Sequence, residues 1–180
     1  MHIKWFIYLF ISTYVMDKIG CDKHILFTTS RCFLKSKLIT NLECSNDNTT
    51  LSFKIDTVKE IEKCYGLSNI NFYVFGNKHT IQLRKLRTEF CDALTVYKPR
   101  TLMSLVNQGI YGSINNFPKR CPFLTNTTYY MNNMKFDAKF LPNYLAEYNF
   151  TFNGRIYMNN VLTMVVEVIG SCCNIGNDCR

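Results

Sequence analysis

The chain reads as mainly β: an antiparallel two-sheet sandwich with one short inserted helix near residues 100–110. Three observations predict this class. Apolar residues alternate with polar ones in several short runs, the period of half-buried strands. A single segment carries helical periodicity. Turn signals, rather than regularly alternating helices, separate the runs, which argues against βαβ units.

Taken in chain order, the first segment is not part of that fold. His2 and Lys4 make a polar, basic start, and an apolar run follows from Trp5 to Met16, broken only by Ser12 and Thr13. A run of about twelve residues is short for a bilayer, which needs roughly twenty, and it suits a secretory leader. Residues 1–20 are therefore expected to be a signal peptide and residues 21–180 one secreted domain, with Gly20 the best cleavage point.

Leu51, Phe53 and Ile55 alternate with Ser52, Lys54 and Asp56; Ile70, Phe72 and Val74 repeat the pattern, as do Ile81 and Leu83. Between Pro99 and Tyr111, residues Leu102, Leu105, Val106 and Ile110 form one apolar helical stripe, with Pro99 near the start and Gly109 and Gly112 favouring a stop. Tyr148, Phe150 and Phe152 lead into Asn153-Gly154 and then Arg155 to Met158, which predicts a hairpin turning at Asn-Gly. Val161 to Ile169, continuously apolar in character, is expected to be a central strand.

Nine cysteines, at 21, 32, 44, 64, 91, 121, 172, 173 and 179, are a heavy load for a cytosolic chain, and export makes disulfides their natural chemistry. Zinc is disfavoured. There is no C-x-x-C pair, and His24 and His79 lack cysteine or histidine neighbours at ligand spacing, so no metal site is predicted. Being odd, the count leaves one thiol free or intermolecular unless cleavage falls beyond Cys21. Glycosylation sequons occur at Asn48, Asn126 and Asn149, but with 19 Asn and 25 Ser plus Thr chance supplies about 2.6 of them, so they do not argue independently for export.

The formal charge is +8, and the densest basic stretch carries Lys78, Arg84, Lys85, Arg87, Lys98 and Arg100 against Glu89 and Asp92. It suits a solvated face, an anionic membrane surface or acidic glycans; an exported chain has little occasion to meet nucleic acid. No nucleophile elbow, zinc-protease helix, phosphate-cradling glycine loop or dinucleotide fingerprint is present, so neither catalysis nor a cofactor is expected. Aromatic residues crowd the second half, from Tyr129 and Tyr130 to Phe150, Phe152 and Tyr157. They suit either a packed core or the wall of an apolar pocket.

One ordered series carries a family resemblance: Thr40-Asn41-Leu42-Glu43-Cys44, Cys64, Phe90-Cys91-Asp92, Cys121-Pro122-Phe123, Met131 to Phe136, Pro142, the Tyr148 to Tyr157 strands, and an end near Gly170. It resembles a divergent member of the insect domain-of-unknown-function family that includes the CheB-type gustatory proteins. That family is similar to the ML lipid-recognition superfamily, an immunoglobulin-like sandwich whose sheets hold an apolar ligand. Pro142-Asn143-Tyr144 lacks the family's usual glycine, and Cys21, Cys32, Cys172, Cys173 and Cys179 lie outside the shared frame. The resemblance implies a Cys91–Cys121 bridge, and next a Cys44–Cys64 bridge. It also implies a secreted, non-catalytic carrier of a lipid or other hydrophobic small molecule, in a chemosensory setting, that meets a membrane surface or receptor. Strand alternation proposes Leu105, Phe136, Phe140, Phe150, Phe152 and Tyr157 as ligand-lining residues. The competing expectation is an extracellular interaction module with a fully packed core.

Overall fold

Strands that alternate apolar and polar side chains become stable only when two such faces meet, and that is the arrangement found. The computed structural model describes residues 23–75, 80–91, 108–110, 112–118, 120–138 and 147–174. They form β1 (Lys23–Leu34), β2 (Ile39–Asp47), β3 (Thr50–Thr57), β4 (Cys64–Val74), β5 (Thr80–Glu89), β6 (Ile114–Asn115), β7 (Thr128–Lys135), β8 (Tyr148–Met158) and β9 (Val161–Asn174). One sheet has the order β1-β9-β8-β4-β5 and the other β2-β3-β7-β6. Every described pairing is antiparallel, as the β-sandwich expectation requires. The predicted leader, residues 1–20, lies outside the described residues. Of the predicted helix only the final turn is described, and Gln108, Gly109, Ile110 and Gly112 are helical.

The inward face of the five-stranded sheet is built from even-numbered residues on β4, β8 and β9, because Ile70 pairs with Phe152, Phe72 with Phe150, and Phe152 in turn with Val168. On β1 a bulge between Phe27 and Thr29 inserts one residue. One extra residue flips the face of everything beyond it, so Ile25 and Phe27 point inward before the bulge and Ser30 and Cys32 after it. The neighbouring β9, expected to be central, is interior to the sheet, between β1 and β8.

Two expectations are corrected. The Asn153-Gly154 hairpin does not form: β8 runs unbroken from Tyr148 to Met158, and the chain reverses five residues later at Asn159-Asn160, with φ of 48° and 64°. Asn enters the left-handed region more readily than most residues that carry a side chain, and Gly154 serves a different purpose, since a Cβ there would lie 2.8 Å from the Phe152 ring. Cys44 pairs with Cys32 instead of Cys64 (Cα–Cα 5.9 Å), because β1, at the edge of the five-stranded sheet, lies beside β2, while Cys64 lies on β4, separated from β1 by β9 and β8. The Cys91–Cys121 bridge is present, with Cα–Cα 5.1 Å. Cys173 is disulfide-bonded as well. Cys64 and Cys172 are buried free thiols.

At the Cys32–Cys44 edge the sheets are also joined by polar contacts. The Phe27 amide donates to the Asn48 carbonyl at 2.7 Å, the Asn46 side-chain amide donates to the Phe27 carbonyl at 3.1 Å, and the Ser30 hydroxyl donates to Asn46 Oδ1 at 3.0 Å. Those contacts cover the edge of β1, which would otherwise offer unpaired backbone groups.

Candidate functional site: a cavity between the sheets

The buried side chains do not form one continuous core. One cluster gathers Ile25, Phe27, Leu51, Met134, Tyr148, Val166 and Val168; the other gathers Ile39, Ile55, Ile61, Phe123, Tyr129, Ile156 and Met158. Between them the inward face of the five-stranded sheet carries its smallest residues, Gly66 and Ser68 on β4 and Gly154 on β8, with Ser68 directly opposite Gly154. The Phe90 ring lies over Gly66 and the Phe152 ring over Gly154, where a Cβ would meet them. All three positions line a cavity of about 490 Å³.

Its walls are apolar. Phe150, Phe152, Ile70 and Phe72 contribute from one sheet, Leu51, Phe53, Met131 and Met134 from the other, and Phe136 and Ile110 from the segments between strands. Four methionines, Met131, Met134, Met158 and Met164, border it. Their unbranched thioether chains adapt to irregular shapes.

The polar residues at this wall are largely engaged elsewhere. The Ser68 hydroxyl donates to the Leu86 carbonyl at 3.4 Å, and the Asn115 amide donates to the carbonyls of Ile110 and Ser113 at 3.0 and 3.1 Å. Lys54 turns its ammonium outward to Glu43 at 3.0 Å. Hydrogen bonds from Asn41 and Lys54, then the Lys54 charge, hold the Glu43 carboxyl below its ordinary range. Burial pushes the Cys64 thiol at the cavity wall up to about 12, and desolvation likewise raises the Tyr148 hydroxyl and the Cys172 thiol. All three therefore stay neutral near pH 7, and the wall gains no charge from them.

Of the predicted lining residues, Phe136, Phe150 and Phe152 stand at the cavity. Leu105 and Phe140 lie outside the described residues. Tyr157 does not face the cavity: β8 continues without a turn, so the odd-numbered Tyr157 stands on the outer face, stacked on its β4 partner Tyr65 at 5.0 Å between ring centres. Sequence reasoning missed the small residues that line the space, although Gly66-x-Ser68 within an alternating strand was a readable signal. It also missed the methionines and the β3 side chains.

The sequons divide by position. Asn48 and Asn126 are exposed in turns, whereas Asn149 sits half-buried inside β8, and its Thr151 hydroxyl accepts a hydrogen bond from Asn71 at 3.1 Å. Of the basic stretch, Arg84, Lys85 and Arg87 lie on the edge strand β5, and Lys78, Lys98 and Arg100 lie outside the described residues. Among the described residues no group of three or more His, Cys, Asp or Glu is placed to hold a metal ion, and no helix is long and apolar enough to cross a membrane.

The molecule is thus a two-sheet β-sandwich with a partly open apolar cavity between its sheets. Residues 68–152, from the middle of β4 to the middle of β8, match a family described as "Protein of unknown function (DUF1091)". No curated protein matches the chain.

Proposed function

We propose that this protein is a secreted, non-catalytic carrier of a lipid or other hydrophobic small molecule, held between the two sheets. The observation that carries this reading is the apolar cavity of about 490 Å³. An apolar occupant of these walls contributes about 25 cal/mol for each Å² of its own surface taken from water. At about 30 Å³ per water-sized group the space suits on the order of sixteen methylene-sized units, the scale of a long acyl chain or a compact polycyclic molecule.

The engaged state of Ser68, Asn115 and Lys54 supports a ligand chosen by shape and apolar area. The match to a family of unknown function leaves ligand chemistry to the cavity itself. A chemosensory ligand, a relationship to the CheB-type and ML proteins, cleavage of residues 1–20 and glycans at Asn48 and Asn126 belong to the same proposal. The rival module with a fully packed core accords poorly with two core clusters separated by a void.

Native mass spectrometry of protein from secreting cells, before and after organic extraction, tests the reading. A co-purifying apolar molecule lost on extraction, and uptake of a fluorescent fatty acid by the extracted protein, are the expected results. Absence of both sinks it.

A further inference from the structure

Around the end of β4 and the start of β5 three large apolar side chains stand in water: Tyr73 is 44% exposed, Phe75 36% and Ile81 49%. Tyr73 belongs to the outer face of the sheet, while Ile81, paired with Phe72, belongs to the inner one. Apolar surface therefore wraps both faces of the sheet there.

Charge follows close behind on the same edge strand. Arg84 and Lys85 are exposed, three and four residues beyond Ile81. At about 3.4 Å per residue they lie roughly 10–14 Å from it, close to the screening length of about 10 Å at 0.1 M salt. The backbone turns Lys85 outward: its φ is 56° in a bulge, and its amide donates to Asn69 Oδ1 at 2.9 Å. Arg84 bonds the neutral Gln82 side chain, and among the described residues neither Arg84 nor Lys85 is in an ion pair. Arg87, further along, is tied to Glu89 and lies over the Tyr65 ring at 4.1 Å. Glu147, whose carbonyl accepts the Phe75 amide, has its carboxylate engaged by the Asn174 amide at 2.9 Å.

A single exposed apolar residue is ordinary. Three in one place, beside uncompensated cations, combine the two attractions that hold proteins at membrane interfaces, apolar insertion and attraction to anionic headgroups. We propose that the surface formed where β4 ends and β5 begins docks on an anionic lipid bilayer, with Tyr73, Phe75 and Ile81 entering the headgroup boundary and Arg84 and Lys85 resting on the headgroups. This goes beyond the carrier reading and stands without it, because docking requires no occupant in the cavity.

Co-sedimentation of the full chain with vesicles of phosphatidylcholine alone, or with about one third phosphatidylserine, tests it at low and high salt. The expected result is binding to the anionic vesicles that salt weakens, and little binding to the neutral ones. Each basic side chain near such a surface strengthens attachment about fivefold, so Arg84→Gln with Lys85→Asn should lower it about thirtyfold. Asn accepts the positive φ at position 85. Tyr73→Ser with Ile81→Ser should lower it at least about tenfold by removing apolar insertion. Ile114→Ser, at a side chain 64% exposed on the four-stranded sheet, should leave binding unchanged. Near-ultraviolet circular dichroism identifies which variants remain folded, and the two hairpin variants are independent of each other. Absence of binding at low salt, equal binding to neutral and anionic vesicles, folded hairpin variants that bind like the parent, or equal loss in the Ile114 variant would each overturn the proposal.

Discussion

Two glycines on neighbouring inward-facing strands do opposite work. At Gly170, opposite Phe27, a Cβ would collide with the Leu26 carbonyl oxygen, a backbone atom that cannot move without disturbing the β1–β9 ladder. Gly170→Ala should therefore destabilise the protein by about 2–3 kcal/mol, read from the urea midpoint. At Gly154 the obstacle is the end of the Phe152 side chain, which can swing into the cavity. Gly154→Ala should cost about 1 kcal/mol or less and weaken uptake of a fluorescent fatty acid instead, so the two variants separate stability from ligand space.

The buried thiol of Cys64 sets a pH dependence of definite sign. Its ordinary value of 9.0 is raised to about 12 by burial, so between those values the unfolded chain releases a proton that the folded protein keeps. Stability should thus be complete below about pH 9 and fall by up to about 1.4 kcal/mol per pH unit toward pH 12. Cys172 and Tyr148, also raised by burial, act in the same direction. Denaturant titrations at pH 8 and pH 10 should show the lower midpoint at pH 10, and Cys64→Ala should reduce the difference. Thiol reagent at pH 8 should leave Cys64 unmodified in the folded protein and modify it in denaturant.

At the scale of elements, the disulfides close the sandwich on two sides. Cys32–Cys44 clips β1 of one sheet to β2 of the other across 12 residues, and Cys91–Cys121 joins the end of β5 to the approach to β7 across 30. In the chain-entropy account they stabilise by about 3 and about 4 kcal/mol respectively. Replacing each pair by serine should lower the unfolding free energy by about those amounts, with the larger loss for the Cys91/Cys121 pair. An equal or reversed order would show that native contacts at those edges outweigh loop closure. The open edge β5 is defended differently, by a bulge and the exposed Arg84 and Lys85, which discourage pairing with another chain's strand.

For the whole molecule, the divided core makes stability depend on what fills the gap. Extracted protein should melt lower than protein as purified, and an added ligand at about a hundred times its dissociation constant should restore about 2.7 kcal/mol. Ile70→Trp places a larger ring in the space between the clusters. It should lower fatty-acid affinity at least about tenfold while retaining the far-ultraviolet spectrum, whereas a merely misfolded variant would lose both.

Much of this architecture was legible because alternation reports a local property, which backbone state a segment adopts and which side chains share a face. Leu51, Phe53 and Ile55, Ile70 and Phe72, and Phe150 and Phe152 all stand inward as their period required. Tyr157 was misread because a turn at Asn153-Gly154 would have set it opposite Phe150 on the inner face, whereas unbroken alternation along β8 turns it outward beside Tyr65. The turn at Asn159-Asn160 was passed over for Asn153-Gly154 because glycine serves two needs, positive φ and absence of a side chain, that look alike in a linear string.

The sequence by itself determined a disulfide-bridged protein of short antiparallel strands with an aromatic-rich interior. Only the tertiary structure decided that Cys44 meets Cys32, that Cys64 and Cys172 stay free, and that Gly66, Ser68 and Gly154 converge at the wall of a cavity. The physical reason is separation along the chain: Ser68 and Gly154 are 86 residues apart and become neighbours only through the β4–β8 register, which local residue chemistry does not encode.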